Sequence, residues 1–143
     1  MSHKALGVAF EDESLIGSQT IAPANNGRLG YAIGLNATVP TVTQATSKST
    51  GVTLNASIGQ ITLNNAALAA GAAVKFTVTN NMVFAGDVPS VIMSSGGTSG
   101  AYSLDVTALA AGSFDITIQN ISAGSLSEAC VLNFAIIHAV PLA

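Results

Sequence analysis

Apolar and polar residues alternate with a period of two over two stretches that share the same lead-in. Residues 67–80 read ALAAG-AAVK-FTVTN and residues 108–120 read ALAAG-SFD-ITIQN. In the first, Val74, Phe76 and Val78 fall on one side; in the second, Phe114, Ile116 and Ile118 do. Lys75, Thr77, Asp115 and Thr117 fall on the opposite side. A two-residue period predicts half-buried strands, each entered through a Gly turn and ended by Asn.

From residue 50 onward, strand signals recur at short intervals. They predict strands at Thr50–Leu54, Gln60–Leu63, Val74–Thr79, Val88–Ser94, Tyr102–Thr107, Ser113–Gln119 and Ala129–His138. Turn chemistry separates them at Asn64-Asn65, Asn80-Asn81, the run SSGGTSG (94–100) and Ser122-Ala123-Gly124. About seven short strands with Gly-rich turns predict an all-β fold, a single antiparallel β-sandwich or jelly-roll-like domain spanning 46–143. The Ala-rich windows 66–73 and 108–112 have room for one helical turn each, with Leu68 and Leu109 plugging the sandwich ends.

Residues 1–45 lack sustained periodicity and are punctuated by Gly and Pro. They predict an extended N-terminal arm, which at full stretch reaches on the order of 100 Å, the alternative being one or two edge strands added to its own domain. Leu6, Phe10, Leu15, Ile16, Ile21 and Leu29 recur along it as apolar anchors for a partner surface.

The last predicted strand is apolar on both faces. Cys130, Leu132, Phe134 and Ile136 form one side; Val131, Ala135 and Ile137, interrupted by Asn133, form the other. A strand apolar on both sides needs cover on both. One side serves the sandwich core. The other, Val131, Asn133, Ala135 and Ile137, needs a cover, either the N-terminal arm or, as favoured here, the same strand region of another subunit, which predicts an oligomer interface around a cyclic axis.

Composition changes the picture in one respect. Hydrophobic residues make up 49% of the 143 residues and charged residues only 8%, against roughly 25% in an average globular protein. The surface is therefore built of Thr, Ser, Asn, Gly and Ala, which desolvate far more cheaply than ions. Such a surface is suited to being covered by neighbouring subunits. Lys4, Arg28, Lys48 and Lys75 are scattered and the net charge is −3, which predicts no nucleic-acid binding. No apolar run approaches the ~20 residues of a membrane-spanning helix. The first eighteen residues lack a signal-peptide pattern, so synthesis in the cytoplasm is expected.

Candidate chemistry is sparse. His3 and His138 show no metal-ligand spacing, Cys130 is the only cysteine and alternates with core residues, and Asp87, Asp105, Asp115 and Glu128 are single acids at strand ends or outward positions. The acidic run Glu11-Asp12-Glu13 lacks a Gly-shaped calcium loop. The run at 94–100 lacks the Lys of a phosphate loop and is expected to be a flexible hairpin connection. The sequence therefore predicts no catalytic residue, no metal, no cofactor and no enzymatic activity.

Residues 43–139 resemble a group of small phage virion structural proteins. The likeness rests on TQATSKSTGVTLN (43–55), GQITLNNAALAAG (59–71), FTVTNN (76–81), GGTSGAYSLDV (96–106), AAGSFDITIQNISAGSLSEA (110–129) and VLNFAII (131–137). It implies a β-sandwich on the virion, often trimeric. Within that lineage the expected role is a head decoration (cement) protein whose arm clamps adjacent major capsid subunits. The alternative is a receptor- or glycan-binding module of a tail fibre or spike, with its chemistry at 94–100 and near Asn80-Asn81. The chain lacks the pattern of lambda-type head-decoration proteins, so the likeness to those is one of role.

Overall fold

A computed structural model describes Tyr31 and residues 38–139. The expected arm contacts at Leu6, Phe10, Leu15, Ile16, Ile21 and Leu29 lie outside the described residues. The described chain contains eight strands and no helix: β1 (Thr41–Thr43), β2 (Val52–Thr53), β3 (Ile58–Thr62), β4 (Ala73–Thr79), β5 (Val88–Ser95), β6 (Tyr102–Ala110), β7 (Ser113–Asn120) and β8 (Val131–Ile137). They form two four-stranded sheets, ordered β1-β3-β8-β5 and β2-β4-β7-β6. The described residues form an all-β sandwich.

Three features differ from the sequence expectation. The eighth strand, β1, lies within the stretch expected to be arm, and it pairs in parallel with β3 through Thr41↔Gln60 and Thr43↔Thr62. A compact unit accordingly begins at Val39, ahead of the expected boundary at residue 46. The sheets are also mixed, because the two-residue β2 runs parallel to β4. Finally, neither Ala-rich window is helical. Ala108–Ala110 complete β6, with Ala108 in the left-handed region at φ 51° and a register shift between Thr107 and Ala110. In the 66–73 window Leu68 bridges Leu126, and a turn at Ala70-Gly71, with Gly71 at φ +72°, leads into β4.

The two repeated stretches become neighbours. Strands β4 and β7 pair antiparallel with Val74↔Ile118, Phe76↔Ile116 and Val78↔Phe114 in register. Those apolar side chains point between the sheets and meet Ile61, Leu132, Phe134 and Ile136 from the other layer. Phe114 and Phe134 contact edge to face across the layers, with centroids 5.9 Å apart and an interplanar angle of 68°. Leu68 is buried in this core and Leu109 packs against it half-buried. Cys130 is fully buried and free, and burial pushes its thiol pKa up.

Each repeat ends in a buried Asn that locks the chain leaving its strand. Asn80 Nδ2 donates to Ala56 O at 2.7 Å, and its Oδ1 accepts from Met82 N at 3.0 Å. Asn120 Nδ2 donates to Leu68 O (2.9 Å) and Gly124 O (2.7 Å), while its Oδ1 accepts from the Ser122 N–H and hydroxyl. Both are Asx turns, in which the side-chain oxygen substitutes for a backbone carbonyl. The two Asn residues sit at opposite ends of the sandwich.

Candidate functional site

Three regions of the described residues carry features beyond packing: the outer face of the β1-β3-β8-β5 sheet, the cleft between β5 and β6, and a polar trio at one sandwich end.

The outer sheet face contains the expected interface residues. Alternation along β8 turns Leu132, Phe134 and Ile136 into the core and Val131, Asn133, Ala135 and Ile137 outward. Register then extends this face to residues the sequence reading did not include. Val88 lies opposite Ile137, Ser90 and Ile58 flank Ala135, and Ile92 and Gln60 flank Asn133. Val88, Ile92 and Ile137 are 58%, 59% and 63% exposed. Gln60 Nε2 donates to Asn133 Oδ1 at 2.9 Å, so the polar pair amid these residues is internally satisfied. None of the four strands contains Asp, Glu, Lys or Arg. The most exposed apolar residues, Val88, Ile92 and Ile137, lie on the β5–β8 side, while the β1–β3 side presents Thr41, Thr43, Gln60 and Thr62 with the half-buried Ile58.

The run at 94–100 is not a hairpin connection. It joins β5 to β6 and so crosses from one sheet to the other. It is tied down: Thr98 N–H and hydroxyl donate to the two oxygens of Glu128 at 3.1 and 2.6 Å. Those bonds from Thr98, the hydroxyl first, hold the Glu128 carboxyl below its usual range. A Cβ on Gly96 would lie 2.5 Å from Ala129 O, and φ there is +76°, so the loop approaches the backbone too closely for a side chain. Beneath it, a cleft of about 510 Å³ is lined by Met93, Thr98, Ser99, Gly100, Tyr102 and Leu104, among others. The Tyr102 hydroxyl is buried and feels both Glu128 and Cys130, without a hydrogen bond of ordinary geometry among the described residues. Burial, foremost, raises its pKa well above the usual phenol range.

Behind this cleft, at the same sandwich end, Lys48 is buried and its ammonium donates to the carbonyls of Asn64 and Glu128. Burial lowers its pKa. Gln44, also buried, donates to Lys48 O and Thr50 O and accepts from Asn64 N. These groups tie the chain after β1 to the β3 and β8 ends. They are internally bonded. Asn80, expected near a recognition surface in the alternative reading, is buried and turned inward.

The opposite end holds an arrangement that sequence reasoning missed. Asp87, expected at a strand end or facing outward, is buried, and its carboxylate accepts from Phe84 N and Ala139 N, each at 2.9 Å. His138 Nδ1 lies 2.9 Å from Asp87 Oδ2, and His138 Nε2 lies 2.9 Å from Ser57 Oγ. Burial alone would raise the Asp87 pKa, but the two backbone N–H groups and His138 outweigh it and hold it below the usual range. An ionised carboxylate requires Nδ1 to carry a proton, so in the neutral imidazole Nε2 accepts from the Ser57 hydroxyl. Topology makes the trio: residues just before β3, just before β5 and just after β8 meet because β8 lies antiparallel between β3 and β5. No spacing in the sequence signals it. The expected core role of Cys130 agrees with its burial, and among the described residues no group of His, Cys, Asp and Glu forms a metal site.

Comparison with protein-family models, curated proteins and solved structures finds no match to this chain.

Proposed function

We propose that this chain is a phage structural protein of the head decoration (cement) class. In this reading it binds the outer capsid surface as a homotrimer and reinforces contacts between adjacent major capsid subunits. The observation that carries it is the outer face of the β1-β3-β8-β5 sheet, which is free of ionisable residues and exposes Val88, Ile92 and Ile137. Neutral amides and hydroxyls around an apolar strip lose little on desolvation, whereas charged residues are depleted from interface cores. The strip lies to one side of the sheet face, where copies converging on a cyclic axis bury it. Capsid contact is assigned to residues 1–37, and several such binding segments on one oligomer raise the effective concentration of each.

Two changes to the protein test this. Replacing Ile137 and Ile92 by Asp is expected to yield folded monomer by light scattering and to weaken capsid binding. Removing residues 1–37 is expected to leave the oligomer but abolish binding to capsids. Saturation of capsids by both variants would refute the reading.

A recognition module on a tail fibre or spike is the second reading, favoured by the cleft between β5 and β6. Its Ser- and Thr-rich rim over Met93, Tyr102 and Leu104 suits a glycan better than a protein surface. Glycan-array binding that disappears with Tyr102→Ala would support it over the cement role.

A further inference from the structure

The trio at the sandwich end has the geometry of an activated nucleophile, and we propose that Ser57 accepts acyl groups from carboxylic esters, with His138 as its base and Asp87 as the positioning residue. A serine hydroxyl is a weak nucleophile until an adjacent base takes its proton. The diagnostic arrangement is nucleophile and base within hydrogen-bond reach, with the base oriented by a third group. All three distances relevant here are 2.9 Å: Ser57 to His138, His138 to Asp87, and Asp87 to the Ala139 N–H that fixes its far oxygen. The Asp87 side chain is wholly buried while that of His138 is 16% exposed. The orienting group is therefore dry and the base reaches the surface. This is the same division of environment that keeps an imidazole in one tautomer in acyl-transfer sites.

The acyl class follows from the neighbours. Phe84, whose N–H donates to Asp87, is 62% exposed; Val88 follows Asp87 in the chain and Ile137 precedes His138, both similarly exposed. These exposed apolar residues beside Asp87 and His138 in the chain favour esters of apolar acids over charged acyl groups. In the reaction His138 Nε2 takes the Ser57 proton as Oγ bonds the ester carbonyl carbon. The tetrahedral adduct then collapses, the C–O bond to the alcohol breaks, and the alcohol leaves with the proton from His138. Water attacks the acyl-Ser57 by the same route, releasing the acid. No oxidant, metal or further reactant is needed. The trio itself lies at the sandwich end, and labelling of Ser57 does not require shell binding, although Val88 and Ile137 are shared with the sheet face that the shell-binding reading buries.

The test uses the full chain, a fluorophosphonate probe with peptide mapping by mass spectrometry, and para-nitrophenyl butyrate as reporter ester. The expected result is a covalent adduct on Ser57, lost in Ser57→Ala and slowed at least tenfold in His138→Gln. Asp87→Asn is expected to lower kcat for the reporter ester with KM little changed, as a positioning role requires. Circular dichroism on each variant separates lost chemistry from lost fold, and the wild-type labelling needs no variant at all. Folded wild-type protein that acquires no adduct on Ser57, or that labels as fast with His138→Gln, would overturn the proposal. The trio would then be only a clamp joining β3, β5 and β8.

Discussion

Phe76 lies directly opposite Ile116 across the β4–β7 pair, and the two occupy the same place in the repeated motif. The repeat aligns Val74 with Phe114 and Val78 with Ile118, while the register pairs Val74 with Ile118 and Val78 with Phe114. A local two-fold axis therefore passes between Phe76 and Ile116. It carries over to the turns: Asn120 N–H donates to Ala72 O at 2.9 Å, just after Gly71, and Asn80 N–H donates to Gly112 O at 2.8 Å. Both glycines have positive φ, +72° and +86°, a conformation that costs glycine little.

The centre of this axis is expected to be the least tolerant point of the core. Ile116 is fully buried and Phe76 nearly so. Ile116→Ala is expected to cost about 2–5 kcal/mol and Phe76→Ala about 3–5 kcal/mol. Urea unfolding of both singles and the double checks this, with a non-additive double expected for residues in direct contact.

The two terminal asparagines are equivalent by sequence but not by bonding. Asn120 makes four side-chain hydrogen bonds and Asn80 two. Deleting a buried side chain leaves its former partners unsatisfied, at about 1–3 kcal/mol for each group that water cannot reach. Asn120→Ala is therefore expected to lower the melting temperature more than Asn80→Ala. Equal losses would mean that solvent satisfies the partners Asn120 leaves behind.

How much of this was legible in the chain depends on what makes each element. Strands β4 to β8 were readable because alternation at Val74–Val78, Phe114–Ile118 and Leu132–Ile136 directly encodes an inner and an outer face. The strand β1 was not, since three residues between Pro40 and Gln44 are too few to show a period. Alanine misled at 108–110: its helix preference is a weak prior, and the β6–β7 ladder with a bulge at Ala108 overrode it. The expected interface side of β8 could be named from its own pattern, whereas Val88, Ile92 and Gln60 join it only through register. The Ser57, Asp87 and His138 trio was invisible, because it exists only once the strand order is known.

Gly96 and Gly100 offer a clean contrast within one loop. Both have positive φ, but a Cβ at Gly100 meets nothing within 4 Å, while one at Gly96 would press on Ala129 O. Gly100→Ala is expected to cost only the backbone strain, on the order of 1 kcal/mol. Gly96→Ala must in addition shift the loop off the β8 entry, and so loosen the Thr98–Glu128 bonds. Hydrogen exchange at the Thr98 amide is expected to rise in Gly96→Ala and to stay protected in Gly100→Ala.

Acid is expected to destabilise the fold through two buried carboxylates. Asp115 is held below the usual range by Lys75, then by the Thr77 hydroxyl at 2.7 Å, against the opposing effect of burial. Asp87 is lowered too, by the hydrogen bonds that outweigh its burial. A carboxyl whose folded pKa lies below its unfolded value contributes stability that is present above the unfolded value, about 3.9 for Asp. That contribution is lost as pH falls through the folded pKa. Melting temperature is therefore expected to hold from neutral pH down to about pH 5 as far as these two groups are concerned, then fall steeply. Asp115→Asn is expected to lower stability at neutral pH and flatten the acid limb. Because the Lys75 side chain is 59% exposed, its share of the effect is screened by salt. The Thr77 and backbone hydrogen bonds are shielded from it, so 1 M NaCl is expected to shrink the Asp115 contribution only in part and leave that of Asp87 nearly intact. An acid limb that stays unchanged in Asp115→Asn and in Asp87→Asn would show that neither carboxylate governs it.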